Sequence, residues 1–216
     1  MTEDSRLKDS VIAELKWEPS VDEAHIGVTA KDGVVSLIGH VENYAQKHGA
    51  EIAAGRVQGV LAVAEELDVR LPFDATRGDE EIAAAAIERL SWNITIPRDS
   101  IKVKVESGWV TLSGQVEWNY QKNAAHDDIR WLTGVVGVTN QVTIKARVNA
   151  LDISDKIMHA LHRSWFSDPK SISVTTNGGA VKLTGTVHSW RDRNVATATA
   201  WSAPGATTVE NDITIV

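Results

Sequence analysis

Apolar residues recur along this chain with two spacings, and the two spacings alternate in the same order three times. Stretches in which apolar residues lie three and four positions apart predict helices that bury one face. Stretches in which apolar and polar residues alternate predict strands of a half-buried sheet. Each third of the 216 residues reads helix, strand, strand, helix, strand. The pattern predicts an α+β protein of three tandem α-β-β-α-β modules, each a three-stranded mixed sheet with two helices on one face.

A glycine near the end of the second predicted strand recurs in each module and defines the repeat. Gly39, Gly114 and Gly185 align at offsets of 75 and 71 residues, and the same offsets align two further columns of glycines. All nine lie at turns or element ends, where backbone geometry favours glycine: Gly33, Gly39, Gly59, Gly108, Gly114, Gly134, Gly179, Gly185 and Gly205. The repeat divides the chain into modules at residues 1–72, 73–147 and 148–216.

The first helix of each module carries an apolar stripe on one face. Its members are Leu7, Val11, Ile12 and Leu15, then Ile82, Ala86, Ile87 and Leu90, and then Ile153, Ile157, Met158 and Leu161. Asp4 and Asp79 come just before two of these stripes, and we interpret them as helix N-caps. Two alternating strands follow in each module, joined by a pair of small turn residues, which predicts a hairpin.

The second helix of each module is predicted to begin at about Val41, Val116 and Val187 and to end at the last glycine column. Its buried stripe consists of Ala50, Ala54 and Val57, then Ala125, Ile129 and Leu132, and then Ala196, Ala200 and Ala203. A final strand closes the module. If the crossover through this helix is right-handed, the final strand lies parallel to the second strand.

Charge and composition narrow the range of partners. The net charge is −7, and residues 1–72 hold 7 basic against 13 acidic side chains. No segment carries the basic stripe that nucleic-acid binding needs, so we expect no nucleic-acid partner. The chain has no cysteine and no apolar run long enough to span a membrane. Its first residues lack the features of a signal peptide, which predicts a cytoplasmic protein as written, or a periplasmic one if a signal segment was removed.

Catalytic and metal-binding motifs are not evident in the sequence. There is no phosphate-binding loop and no serine with a paired histidine and acid at a recognisable spacing. His159 and His162 could share a helix face as metal ligands, but a solvated helix face is the more economical interpretation because no third ligand is evident. We therefore expect no enzyme activity, no metal and no cofactor.

Eight tryptophans, against two phenylalanines and two tyrosines, are the unusual feature of the composition. Trp17 and Trp92 recur one repeat apart near the end of the first helix, and Trp165 is slightly displaced. Trp131 and Trp201 point away from the buried stripes of their second helices, so they should face another module, a partner or a lipid surface.

A second group of aromatic and basic residues lies where the second helices begin. It consists of Trp118 and Tyr120 in the second module and Trp190, Arg191 and Arg193 in the third. Such a mixture suits lipid headgroups or an acidic protein. Trp118 could instead cover the core of its own module. Together with Trp131 and Trp201, these residues form the predicted binding set.

The repeated segments resemble a known family, the BON domain of bacterial osmotic-stress and envelope proteins. The resemblance rests on Gly-x-Val-x-Leu-x-Gly-x-Val before the second helix and on Gly-Val-x-x-Val-x-Asn before the last strand. It covers the chain three times and is most complete at residues 108–118 and 134–140. The first copy departs by having Glu65 where the others have Asn140 and Asn211, and the third has Ala206-Thr207-Thr208 after its glycine.

The resemblance implies a domain without a catalytic motif, associated with phospholipid surfaces, envelope integrity or, in one lineage, potassium sensing. From it and the aromatic residues we expect a non-catalytic binding or scaffold protein that binds a phospholipid surface or a protein partner during osmotic or envelope stress. The alternative hypothesis is a module that senses a small ligand or a potassium ion. An oligomer is compatible with either hypothesis.

Overall fold

The computed structural model describes residues 2–146, 153–163 and 171–215, and the predicted element order is present in all three copies. The first copy contains α1 (Glu3–Trp17), β1 (Ile26–Lys31), β2 (Val34–Val41), α2 (Tyr44–Gly55) and β3 (Ala62–Val69). The second contains α3 (Asp79–Trp92), β4 (Ile101–Glu106), β5 (Trp109–Val116), α4 (Asn119–Arg130), β6 (Gly137–Asn140) and β7 (Thr143–Ile144). The third contains α5 (Ile153–Arg163), β8 (Ile172–Asn177), β9 (Ala180–Val187), α6 (Trp190–Trp201) and β10 (Thr208–Ile215). The predicted α+β fold of three tandem modules is confirmed.

Each copy has a mixed sheet with the second strand in the middle. In the first copy β1 pairs antiparallel with β2, and β3 pairs with β2 in parallel. The third copy repeats this with β8, β9 and β10. The sheet of the second copy has the order β4-β5-β6, and the short β7 pairs in parallel with β5. The parallel final strand expected from a right-handed crossover is therefore present. In the second copy this strand is divided into β6 and β7.

Two-residue turns with positive φ join the strands of each hairpin. Asp32 and Gly33 have φ of 50° and 80°, and Ser107 and Gly108 have 51° and 76°. Positive φ at both central residues defines the turn whose twist matches that of paired strands. All nine glycines of the three columns have positive φ.

The interpretation of Asp4 and Asp79 as N-caps is wrong. The cap of α1 is Thr2, whose side chain accepts from the N–H of Ser5. Asp4 Oδ1 instead accepts from the N–H of Asp32 at 2.9 Å. In the second copy the two carboxylate oxygens of Asp79 accept from the N–H groups of Ser107 and Gly108, each at 2.8 Å. These aspartates join the start of the first helix to the hairpin turn, a partner that lies almost thirty residues away along the chain.

Replacing Asp79 with alanine should lower the stability of this turn by about 1 to 2 kcal/mol, because two hydrogen bonds to a charged acceptor are lost. Amide hydrogen exchange at Ser107 and Gly108 measures the effect. Glu80→Ala removes an exposed acid from the same helical turn and should change exchange at these amides by less than about 0.5 kcal/mol. Equal effects of the two substitutions would contradict the role given to Asp79.

The predicted starts of the second helices are three residues too early. Val41, Val116 and Val187 end strands β2, β5 and β9. Helices α2 and α6 begin after Asn43 and Ser189, whose side chains accept from the N–H groups of Gln46 and Asp192. The apolar alternation of the second strand continues past its glycine to the valine that ends the strand. The pattern alone therefore does not show where the strand ends and the second helix begins.

The cores lie between the two helices and one face of each sheet. In the first copy Leu7, Val11 and Leu15 of α1 pack with Val35 and Leu37 of β2 and with Ala50 and Ala54 of α2. In the third copy Ile153, Ile157 and Leu161 pack with Leu183, Ala196 and Ala200. Of the predicted stripes, Ile12 and Met158 are only partly buried, and Ile87 is 61% exposed because it lies at the edge of its stripe.

The chain forms two compact units. One holds Met1–Arg89, Val103–Thr111 and Asp127–Thr139, and the other holds Leu90–Lys102, Leu112–His126 and Asn140–Val216. Both units therefore contain residues of the second copy. The module boundaries near residues 72 and 148 stay predictions.

Candidate functional site

Helix α4 begins without a capping side chain at the position where the other copies have one. Asn43 and Ser189 cap α2 and α6, and the equivalent residue before α4 is Trp118. A missing N-cap costs about 1 kcal/mol. Gln121, which is only 7% exposed, bonds to the backbone just before the helix: its Oε1 accepts from the N–H of Glu117 at 3.0 Å and of Trp118 at 3.1 Å. The buried amide thus fixes the backbone that carries the Trp118 ring.

Trp118 and Tyr120 form one side of a cleft between helices α4 and α6. Their rings stack with centroids 6.5 Å apart and planes 27° apart. The cleft has a volume of about 940 Å³, and its residues are Trp118, Asn119, Tyr120, Lys122 and Asn123 from α4 and the residue before it, and Asn194, Thr197, Ala198, Trp201 and Ser202 from α6 and its end. The structure therefore brings together three of the predicted residues, Trp118, Tyr120 and Trp201, in what we call the aromatic cleft.

Folding does not require aromatic residues at these three positions. The repeat aligns Trp118 with Asn43 and Ser189, and Tyr120 with Ala45 and Arg191. Trp201 aligns with Gly55 and Arg130. Because the other copies form the same helix with small, polar or basic residues there, the formation of the helix does not account for the aromatic side chains of the cleft.

Trp131 lies in the other unit, beside helix α2 of the first copy. It is 59% exposed and lines a groove of about 140 Å³ with Ala45, His48 and Ile52. The Arg130 guanidinium lies 5.2 Å from the centre of the Trp131 ring. A contact with the neighbouring copy, one of the three expectations for Trp131, fits this placement.

Tyr44, the first residue of α2, also contacts the second copy within this unit. Burial raises the pKa of its phenol, and a hydrogen bond from the backbone of Val138 in the second copy acts in the opposite direction. The first and second copies therefore contact each other within this unit through Tyr44 as well as through Trp131.

The basic residues predicted beside Trp190 differ in their surroundings. Arg193 is partly buried, donates to the carbonyl of Asn211 at 3.0 Å and lies 5.1 Å from the centre of the Trp190 ring. Arg191 is exposed, and neither Trp190 nor either arginine lines the aromatic cleft. The contacts of Arg193 hold α6 to β10, so a change at this residue would disturb the fold of the third copy.

In the first and second copies one side chain near the last strand bonds both to the second helix and to its own strand. The family asparagine does this in the second copy, and Glu65 does it in the first. Asn140 donates to the carbonyl of Lys122 at 2.8 Å and accepts from the N–H of Val142 at 3.1 Å. In the first copy Glu65 accepts from the N–H of Leu67 and pairs with Lys47 at 3.1 Å. A Lys–Glu pair thus replaces the asparagine, and the fold is retained.

An exposed apolar pair at the end of α3 was not included in the predicted binding set. Trp92 is 78% exposed and Ile94 is 99% exposed. Asn93 Oδ1 between them accepts from the N–H and hydroxyl of Thr95 at 3.0 and 2.7 Å, and Ile96 is buried. This turn holds Trp92 and Ile94, here called the apolar tip, away from the core.

The recurrence of Trp17 and Trp92 was a signal for the apolar tip, but helical spacing alone did not show how far each ring is exposed. Trp17 is 82% exposed at the equivalent position of the first copy, where Pro19 takes the place of Ile94. Trp165, the displaced third member, lies outside the described residues.

Within residues 2–146, 153–163 and 171–215, no three histidine, aspartate or glutamate side chains are grouped as metal ligands would be. In the same part of the chain, no helix has the length and apolar character needed to cross a bilayer.

Comparison with known families agrees with this architecture. The model of the BON domain matches residues 3–70, 78–146 and 149–216. The chain belongs to the BON domain family. Its three BON domains account for nearly all of the sequence. The glycine within the second strand and the hydrogen bonds between the second helix and the last strand recur in each.

A curated relative of these BON domains is osmotically-inducible protein Y of Escherichia coli strain K12. It is 29% identical over 147 residues, which cover 66% of this chain and 73% of the relative. Two solved structures of CdsD, a structural protein of the type III secretion system of Chlamydia trachomatis, match at 18% identity with TM-scores of 0.26 and 0.27. They cover 98% and 100% of this chain and are themselves covered to 92% and 100%.

Proposed function

We propose that this protein is a non-catalytic binding protein of the osmotic stress response, and that it attaches reversibly to phospholipid surfaces through the apolar tip. The observation that carries the proposal is the exposure of two apolar side chains, Trp92 at 78% at the end of α3 and Ile94 at 99% on the hydrogen-bonded turn that follows. The name of the curated relative supports the link to osmotic stress.

Transfer of these two side chains out of water supplies a modest driving force. Burying a large apolar side chain contributes about 1.5 to 3 kcal/mol. Tryptophan also favours the boundary between the hydrocarbon and the headgroups, because its ring is apolar and its N–H is polar. Two such side chains give weak attachment, comparable to that of a single short lipid anchor.

Charge makes a smaller contribution to this attachment. The net charge is −7, so long-range attraction to anionic lipid is unfavourable. Arg98, four residues after Ile94, is exposed and can contact a phosphate once the apolar tip is inserted. Binding should therefore depend little on salt and should not require anionic lipid.

Flotation with phospholipid vesicles tests the proposal. Vesicles of phosphatidylcholine alone, and of phosphatidylcholine with phosphatidylglycerol, are mixed with the full chain at low and high salt. We expect the wild type to float with both, and Trp92→Ala combined with Ile94→Ser to reduce binding at least tenfold, because each lost side chain removes about 1.5 kcal/mol or more. Circular dichroism checks that the variant is folded.

Trp17→Ala is the matched control for this experiment. It removes an equally exposed ring from the same place in the acidic first copy, which lacks the neighbouring isoleucine, and it should leave flotation within about twofold of the wild type. Absence of flotation by the wild type with both vesicles, or an unchanged double variant, would refute attachment through the apolar tip. Thermal stabilisation by KCl but not by NaCl would instead favour the potassium-sensing alternative.

A further inference from the structure

The aromatic cleft between α4 and α6 is a cavity that the phospholipid proposal does not use. Its rings are not required by the fold, since both other copies have non-aromatic residues at the positions of Trp118, Tyr120 and Trp201. The buried Gln121 holds the backbone of Trp118 in place through two hydrogen bonds. The fold of the single module therefore does not explain the aromatic residues of the cleft.

The polar groups of the cleft are mainly amides and hydroxyls. Asn119, Asn123 and Asn194 contribute amides, and within the described residues these three side chains hydrogen-bond to no other group of the protein. Each amide offers both a donor and an acceptor, so it can bond to one hydroxyl in either direction or to two adjacent hydroxyls together. A ligand rich in hydroxyl groups would satisfy them.

Charge and size restrict the ligand further. Lys122 is the one charged residue that lines the cleft, and no carboxylate is among the described lining residues. A cationic ligand is therefore disfavoured, and a polyanion would meet a single positive charge. The volume of about 940 Å³ lies near the upper limit of small-molecule sites, which run from about 300 to 1,000 Å³. A small zwitterionic solute such as glycine betaine would leave most of this open cleft unfilled.

We propose that the aromatic cleft binds a neutral oligosaccharide. The C–H face of a sugar ring is apolar and packs against an aromatic ring, while its hydroxyls project from the edge of the ring. Trp118 and Tyr120, stacked at 6.5 Å, provide such a surface on one side and Trp201 provides one from α6. The three asparagines hydrogen-bond to the hydroxyls or to acetamido groups. The size of the cleft accommodates several sugar units.

NMR titration of the full chain tests the proposal, because each indole N–H gives its own signal. The probes are cellopentaose, maltopentaose and the pentamer of N-acetylglucosamine. We expect at least one of them to shift the indole signals of Trp118 and Trp201 in a saturable manner. Trp201→Ala and Tyr120→Ala should each weaken binding about tenfold or more, and Trp201→Phe should retain part of the affinity.

Trp131→Ala is the matched control, because Trp131 is an exposed ring just after α4 that lies outside the cleft. Its affinity for the oligosaccharide should equal that of the wild type. The proposal is refuted if none of the three sugars shifts the signals of Trp118 and Trp201. It is equally refuted if glycine betaine or glycerophosphocholine shifts them and the sugars do not, or if Trp131→Ala weakens binding as much as Trp201→Ala.

The phospholipid proposal for the apolar tip and the oligosaccharide proposal for the aromatic cleft can be tested independently. The Trp92→Ala, Ile94→Ser variant should bind the oligosaccharide as the wild type does, and Trp201→Ala should float with vesicles as the wild type does. Loss of both activities in either variant would mean that the two surfaces form one site and would overturn the assignment of a separate sugar site.

Discussion

Gly39→Ala should lower the free energy of unfolding of the first copy by about 3 to 5 kcal/mol, the sum of backbone strain and steric overlap. Gly39 lies within β2 at a φ of 137°, a conformation that side chains with a Cβ rarely adopt. A Cβ at this position would overlap the carbonyl oxygen of His25. Native-state hydrogen exchange of the β2 amides measures the loss, because it reports on each copy separately.

Gly55→Ala is the control from the same copy. Gly55 is the last residue of α2, its φ is not positive, and a Cβ there would meet no atom within 4 Å. Alanine should leave stability unchanged or raise it by up to about 1 kcal/mol. Gly114 and Gly185 have the same backbone conformation and the same overlap, with Ser100 and Ser171, so their alanine variants should behave like Gly39→Ala. A mild effect at all three positions would contradict this account.

Leu37→Ala should destabilise the first copy by about 3 kcal/mol. Leu37 is fully buried between β2 and the two helices, and truncation leaves a cavity that close packing cannot refill completely. The neighbouring residue provides the control: Ile38 points to the other face of β2 and is 46% exposed, so Ile38→Ala should cost less than about 1 kcal/mol.

The same hydrogen-exchange measurement distinguishes the two substitutions. A large loss for Leu37→Ala with a small one for Ile38→Ala shows that the helices cover only one face of the sheet. Equal losses would mean that the outer face of the sheet around Ile38 is also covered.

Local patterns were sufficient to predict the fold. Alternation of apolar residues at Val35 and Leu37 and their equivalents marks strands, because the side chains of a strand point to opposite faces in turn. Helical spacing at Leu7, Val11 and Leu15 marks a buried face, and a glycine after a small residue marks each hairpin turn. Repetition strengthened each prediction, since the same pattern had to be consistent in three copies. The right-handed crossover rule then supplied the parallel strand.

Boundaries and caps were predicted less well, because a polar side chain near the start of a helix can bond to several backbone groups, near or distant in the sequence. Asp79 is of a residue type that often caps helices and lies at the start of α3, yet its partners are Ser107 and Gly108 in the hairpin turn. Gln121 looks like an ordinary polar helix residue, and only the structure shows that its buried side chain accepts from the N–H groups of Glu117 and Trp118 before the helix. Both side chains could satisfy either a local or a distant partner.

The sequence by itself determined the three BON domains, their element order and the aromatic residues available for binding, because periodicity and turn chemistry are properties of neighbouring residues. Only the tertiary structure decided where those aromatic residues lie and what surrounds them. It brings Trp118 and Trp201 to one cleft, places Trp131 against the first copy, and leaves Trp92 exposed at the end of α3. The direction of a side chain on a helix follows from spacing, but its exposure depends on which other elements pack beside it.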